Sequence, residues 1–207
     1  MLLNEGQNDR YAGYFNINKS ITSDMNLDQI LSSTPYDKIW FGSDWHLWIY
    51  NKDTKKIEKN PNFNKIISNY QKNIKEDDIF IFLGDLVDDE FNDLNKLKEV
   101  ISNLNGYLKI LILGNNELQP ESFYNEIGFD YIFYAYQWGR FTFSHMPLDK
   151  YNSQFNIHGH MHQYKDYNYQ NVTYNNHIRI YTGDYDNKPI NLKQIITKWN
   201  QGFYKPE

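Results

Sequence analysis

The stretch Ile79-Phe80-Ile81-Phe82-Leu83-Gly84-Asp85-Leu86-Val87-Asp88 decides how this chain folds. Five consecutive apolar residues read as a strand buried on both faces, the pattern of a parallel sheet covered by helices. Upstream, Ile39-Trp40-Phe41 is a second short buried strand running into Gly42-Ser43-Asp44. Between the two, Pro61 after Asn60 suits the first helical position behind an N-cap. Phe63, Ile66, Ile67, Tyr70 and Ile74 then follow helical spacing. Downstream, Asp88 or Asp89 is placed to cap a helix carrying Phe91, Leu94, Leu97 and Ile101 on one stripe. Tyr107–Leu113 reads as a strand ending at Gly114, and a short helix starts at Pro120. Strand and helix alternate, which predicts a parallel sheet with covering helices.

The second half changes character. Tyr131–Tyr136, Arg140–Ser144, Phe155–His158, Asn171–Tyr174 and His177–Tyr181 read as strands, with Gln137-Trp138-Gly139 as a hairpin turn. A last helix runs from Leu192 to Trp199. Residues 1–37 are a polar N-terminal extension, packed on or leading into the domain, with a short strand at Tyr14–Ile17 and a helix near Leu27–Leu31. Residues 38–207 form the domain itself. The expected architecture is α/β: a four-layer α-β-β-α sandwich of two mixed sheets flanked by helices, with its site at the carboxyl ends of the strands.

Composition narrows the chemistry. At 207 residues, with 40% hydrophobic and 17% aromatic content, this is one globular domain with a substantial core. The absence of cysteine excludes disulfides, thiolate metal sites and cysteine nucleophiles. Any metal is therefore held by oxygen and nitrogen. A net charge of −5 without a Lys/Arg stripe argues against a long nucleic acid as partner. A small phosphate ester held by metal ions needs no such stripe. Met1-Leu2-Leu3-Asn4-Glu5 lacks the basic and apolar regions of a signal peptide, and no apolar run reaches membrane-spanning length. The expected compartment is the cytoplasm, where the sequon Asn171-Val172-Thr173 carries no meaning.

Short polar motifs sit directly after the apolar runs: Asp44-Trp45-His46, Gly84-Asp85-Leu86-Val87-Asp88, Gly114-Asn115-Asn116-Glu117, Ser144-His145 and Gly159-His160-Met161-His162. Carboxylates, imidazoles and an amide would thus gather at strand ends and form a two-metal site. A carboxylate has two oxygens and can bridge two cations, and Asp85, after the central strand, is the natural bridge. Asp44 and His46, two apart on extended chain, point the same way and can share one ion. His160 and His162 alternate similarly, yet in a sharp turn they can serve different ions.

These motifs, in this order, resemble those of the calcineurin-like metallophosphoesterases: D-x-H, G-D-x-x-D, G-N-H-[D/E], a lone His and G-H-x-H. The resemblance runs from about Lys38 to the C-terminus. Pro189-Ile190-Asn191-Leu192 is also similar to the tail of small bacterial and phage members. It implies one metal on Asp44, His46, Asp85 and His162, and a second on Asp85, Asn115, His145 and His160. Asp88 would stand behind the ligands. The metals implied are Mn²⁺ first, then Fe, Zn²⁺ or Ni²⁺. The implied reaction is in-line attack on phosphorus by a metal-bridging hydroxide, on a small or nucleotide-like phosphodiester such as a cyclic nucleotide. A phosphomonoesterase or protein phosphatase, and a degenerate metal-binding interaction module, are the alternatives. Oligomeric state is not legible.

One position departs from the pattern. Where the resemblance puts a general-acid histidine, this chain has Asn116, with Glu117 intact behind it to orient that position or act as a cap. Asparagine donates a hydrogen bond but delivers no proton near neutral pH. Three readings stay open: a good leaving group or another proton donor, a natural binding protein that kept its metals, or a His-to-Asn change that inactivates the site. Trp45 and Trp48 flank the first motif as core or pocket wall, with base stacking as the alternative. His158 and His177 match no motif and read as structural. Arg140 and Lys150 read as surface residues. Asp53–Lys59, Glu121–Asn125 and Lys150–Phe155 are candidate pocket walls.

Overall fold

The structure, a computed structural model, describes residues 21–22, 24–162 and 176–202. In chain order the first elements are β1 (Ile21–Thr22), α1 (Met25–Ser33), β2 (Ile39–Gly42), β3 (Trp48–Asn51), β4 (Lys56–Lys59) and α2 (Phe63–Asn73). Then come β5 (Ile79–Phe82), α3 (Leu94–Ser102), β6 (Leu108–Ile112), α4 (Glu121–Glu126) and β7 (Tyr131–Phe133). The remainder is β8 (Ala135–Trp138), β9 (Phe141–Ser144), β10 (Phe155–His158), β11 (His177–Arg179), β12 (Ile190–Asn191) and α5 (Leu192–Asn200).

The class is α/β, as expected, with two mixed five-stranded sheets. The first has the order β12-β2-β5-β6-β7. Its strands β2, β5, β6 and β7 run parallel, and β12 pairs antiparallel with β2. Parallel neighbours need a crossover, and α2, α3 and α4 supply one after each of β2, β5 and β6. The second sheet has the order β1-β8-β9-β10-β11 and turns antiparallel between β8 and β9.

All four residues of β5 are buried. Phe80 and Phe82 face Ile66 and Tyr70 of α2 and Leu97 and Ile101 of α3. Ile79 and Ile81 face the other way, into a core shared with Phe141, Phe143, Phe155, Ile157 and Ile178 of the second sheet. Each such side chain contributes about 1.5–3 kcal/mol on burial, so this shared layer is what holds the sheets together. Leu27 and Leu31 of α1 and Leu192 and Ile195 of α5 join the same layer. Tyr136 ties α1 in place by donating to the Asp28 carboxylate at 2.6 Å. Asn191 and Gln194 form a capping box at the start of α5.

The other face of the second sheet is polar yet buried, with Thr142, Ser144, Asn156, His158, His177 and Arg179. Asn156 anchors the 145–155 loop there, accepting from the Leu148 amide at 2.9 Å. His158 and His177, read as structural, lie on this face with ring centroids 5.5 Å apart.

Several local expectations change. Tyr131–Tyr136 is two strands in different sheets, because the chain crosses over at the exposed Tyr134. The hairpin turn is Gly139-Arg140, since Trp138 pairs with Phe141. The helix after Pro61 begins at Phe63, with Asn60 holding the turn ahead of it by accepting from the Asn62 amide. Asp93, not Asp88 or Asp89, caps α3. The β3–β4 hairpin is unanticipated, and Trp45 belongs to the core against Phe80 and Phe82. Trp48 stacks on Phe91. The strands expected at Tyr14–Ile17 and Asn171–Tyr174 lie outside the described residues. No helix among the described residues is long and apolar enough to cross a membrane.

Candidate metal centre

Each polar motif follows the carboxyl end of a strand: Asp44 after β2, Asp85 after β5, Asn115 after β6, His145 after β9, His160 and His162 after β10. Strand ends alone do not aim side chains at one point; the backbone has to turn. Asp44, His46, Asp85 and His160 all take positive φ, between 39° and 66°. A non-glycine residue in that region costs of order 1–3 kcal/mol, and such residues cluster at functional sites. The turns also need room. A Cβ on Gly114 would strike Asp85 Oδ1 and sit 2.7 Å from Glu117 Oε2, and one on Gly84 would sit 2.6 Å from His145 Nδ1.

Two groups of donors result. Asp44, His46 and His162 bring ligand atoms within 4.8 Å of one another, and so do Asp85, His145 and His160. Asp85 Oδ2 lies between them, 3.7 Å from His46 Nε2 and 3.4 Å from His145 Nε2. His162 Nε2 is 3.3 Å from Asp44 Oδ1. Asn115 Oδ1 and His160 Nδ1 both stand 3.1 Å from His145 Nε2.

The far side of each ring is fixed. His145 Nδ1 donates to the Leu83 carbonyl at 2.7 Å, leaving Nε2 to face the centre. His46 Nδ1 donates to Asp88 Oδ1 at 2.6 Å, and the other Asp88 oxygen accepts from the Tyr50 amide at 2.7 Å. A carboxylate or carbonyl behind a ligating imidazole is the usual way of setting its tautomer and orientation.

The residues fit divalent cations. His46 Nε2 is buried and has no hydrogen-bond partner among the described residues. Around His145 Nε2 the neighbours are a carboxylate oxygen, an amide oxygen and a second imidazole nitrogen, whose lone pairs converge on one space. Converging acceptors repel unless a cation stands among them.

Without metal, a proton on His145 Nε2 takes the place of a cation among these acceptors. Burial disfavours charge on both Asp85 and His145, but each charge is held by the other. Asp85 stays well below the ordinary carboxylate range, and His145 rises to about 10. Burial and the His145 charge push His160 down to about 4. His46 lies above its ordinary value: burial opposes this, but the Asp88 hydrogen bond and the Asp85 charge outweigh it.

Asn116 is part of the centre. Its Nδ2 donates to Asp85 Oδ2 at 2.9 Å, and its backbone amide reaches Oδ1 at 3.2 Å. Glu117 was expected to orient position 116 or to cap. It accepts from three backbone amides, Gly114 at 2.6 Å, Asp85 at 2.8 Å and Leu86 at 2.9 Å. It thereby clamps the two motif loops together. Burial and the Asp85 charge push its carboxyl up to about 7.

Tyr181 was not anticipated at the site. Its ring stacks on His162, with centroids 4.8 Å apart and planes at 12°, and packs over Gly183. It follows a strand as the ligands do, but an aromatic there carries no spacing signal. Arg140 lies over the Phe155 ring, and Lys150 is exposed, as surface residues.

This arrangement of carboxylates, imidazoles and an amide at the strand ends of two packed mixed sheets defines a metal-dependent phosphoesterase. The model of the calcineurin-like phosphoesterases matches residues 37–199, and the chain belongs to that family, whose members bind divalent metals in a binuclear centre. A crystallised protein of unknown function from Aquifex aeolicus is similar, at 26% identity and a TM-score of 0.56 over 77% of this chain and 97% of that one. No curated protein matches.

Proposed function

We propose that this protein hydrolyses small phosphodiesters at a centre of two divalent cations, with Mn²⁺ the first candidate. Asp44, His46 and His162 are the proposed holders of one cation, and Asn115, His145 and His160 of the other, with Asp85 shared. The observation that carries the reading is the position of Asp85 Oδ2, 3.7 Å from His46 Nε2 and 3.4 Å from His145 Nε2, one oxygen between two donor groups. When bound, such cations lower the pKa of a water and polarise the phosphoryl oxygens.

The chain's own residues do the rest. Leu83 and Asp88 hold His145 and His46 in the ligating tautomer. Glu117 keeps the Asp85 loop against the Asn115 loop. Asn116 offers a neutral N–H to a substrate oxygen but supplies no proton, so the departing alcohol has to leave with little help. The lack of a positive charge at that position supports a diester over a monoester. A diester carries one negative charge on its phosphoryl oxygens, whereas a monoester dianion is commonly met by Arg or Lys. Arg179 is already engaged, with Asp184 and with the Met161 carbonyl.

Parallel assays of bis-p-nitrophenyl phosphate and p-nitrophenyl phosphate with Mn²⁺ test the reading, and the diester is expected to turn over faster. Faster monoester hydrolysis supports the phosphatase alternative. Asn116 also favours a second reading, a degenerate metal-binding interaction module. That reading predicts metal binding with no turnover of either ester.

A further inference from the structure

Beside the metal centre lies an open cavity of about 50 Å³, bordered by the Leu86–Phe91 loop, α3 and the segment from Asn116 to Tyr124. Leu86, Phe91, Leu97 and Tyr124 line it with buried apolar and aromatic surface, and Glu117 adds a carboxyl group. Half-buried Asp88, Asp89 and Asn116 line it as well, with the exposed Leu118 and Gln119. Asn116 and Asp88 belong to the centre as well. Asn116 donates to Asp85 Oδ2, and Asp88 holds the His46 ring. The cavity therefore adjoins the centre on its Asn116 side.

Size and charge restrict the occupant. A water needs about 10–15 Å³ and a benzene-sized cavity measures about 150 Å³, so there is room for a few heavy atoms and not for a nucleobase. Asp88 and Asp89 both line the cavity, and the exposed Glu90 adjoins them in the chain. Glu90 is hydrogen-bonded to Asp89 and held above its ordinary value by that bond. An anionic occupant is repelled by these acids, whereas an ammonium is attracted by them and by the aromatic lining.

The geometry points to a leaving-group pocket for a short amino alcohol, so that the diester cleaved is one whose departing half is a compact alkyl chain bearing an ammonium. This rests on the phosphodiesterase reading for its meaning, but its test does not need turnover. The methylenes occupy the space between Phe91 and Tyr124, and the ammonium faces Asp89.

The test is calorimetric titration of the Mn²⁺-loaded protein with O-phosphoethanolamine and with propyl phosphate, which match in size and differ in the ammonium. The expected result is about tenfold tighter binding of the amine, with the gap closed by Asp89→Asn. A bulkier variant, Leu97→Phe, fills the interior and weakens both ligands. Melting temperatures of both variants establish that they fold. Equal affinities, tighter binding of propyl phosphate, no binding of either, or a preference unchanged in Asp89→Asn overturns the pocket. Failure of the phosphodiesterase reading shows separately, as absent hydrolysis of bis-p-nitrophenyl phosphate alongside an intact binding preference.

Discussion

Asn116 donates its side-chain amide to Asp85 Oδ2, the oxygen that stands between the two donor groups, at 2.9 Å. The residue at the position where the family resemblance places a general acid thus touches the shared carboxylate. It can orient that carboxylate or a substrate oxygen, and it carries no transferable proton near neutral pH.

Asn116→His should therefore raise hydrolysis of alkyl phosphodiesters by about 10²–10⁴-fold, the usual contribution of a positioned general acid. Bis-p-nitrophenyl phosphate, whose leaving group needs no proton, should change little. Steady-state kcat/KM for a matched alkyl and aryl pair measures this, and equal gains on both esters contradict the account.

Asp88 should matter through metal affinity. It accepts from His46 Nδ1 and from the Tyr50 amide, joining a ligand to the β3–β4 hairpin. Asp88→Ala should weaken one metal site by about 10–100-fold, as is typical for a carboxylate behind a ligating histidine. Competitive titration against a chelator reads this, and two unaltered affinities would show that Asp88 only supports the loop.

Glu117 is buried with three amides on it, so Glu117→Gln turns an –NH₂ towards at least one donor. Leaving a buried donor unsatisfied costs about 1–3 kcal/mol. Thermal melts of the metal-free protein should show that loss, and an unchanged midpoint contradicts the clamp.

The metal-free centre should respond to pH through His145. Its folded value, about 10, exceeds its ordinary value, so the stabilisation from its charge is complete below about 6.5. It is lost as pH rises through about 10. Chelator-treated protein should melt lower at pH 10 than at pH 6.5, and saturating metal should reduce the difference. Metal has to displace the same proton, so affinity rises with pH across this window and binding releases protons. Calorimetry in two buffers of different ionisation heat counts them.

Much of this site was legible because parallel strands announce themselves. Ile79–Leu83 is apolar throughout, so the polar residues that follow stand at a strand end by elimination. Asp44, His46 and His162 gather in one donor group and Asp85, His145 and His160 in the other, so that His160 and His162 fall on opposite sides. The β3–β4 hairpin was not legible, because its residues are half-exposed or exposed and show no alternation of apolar and polar faces. Its turn is held by the Asn51 side chain, which accepts from the Asp53 and Thr54 amides. Nor can a sequence pattern reveal that Tyr131–Tyr136 changes sheets, since both halves have strand character. Glu117 was visible as a residue but not as a clamp, because its partners are backbone amides from two loops that meet only in the fold.

The central claim is that two cations share Asp85 and hydrolyse a phosphate ester. Turnover of bis-p-nitrophenyl phosphate, followed while Mn²⁺ is added stepwise to chelator-stripped protein, tests it most directly. The account predicts negligible activity without metal and a rise that saturates at two equivalents per chain. Saturation at one equivalent, or turnover indifferent to the chelator, would contradict it.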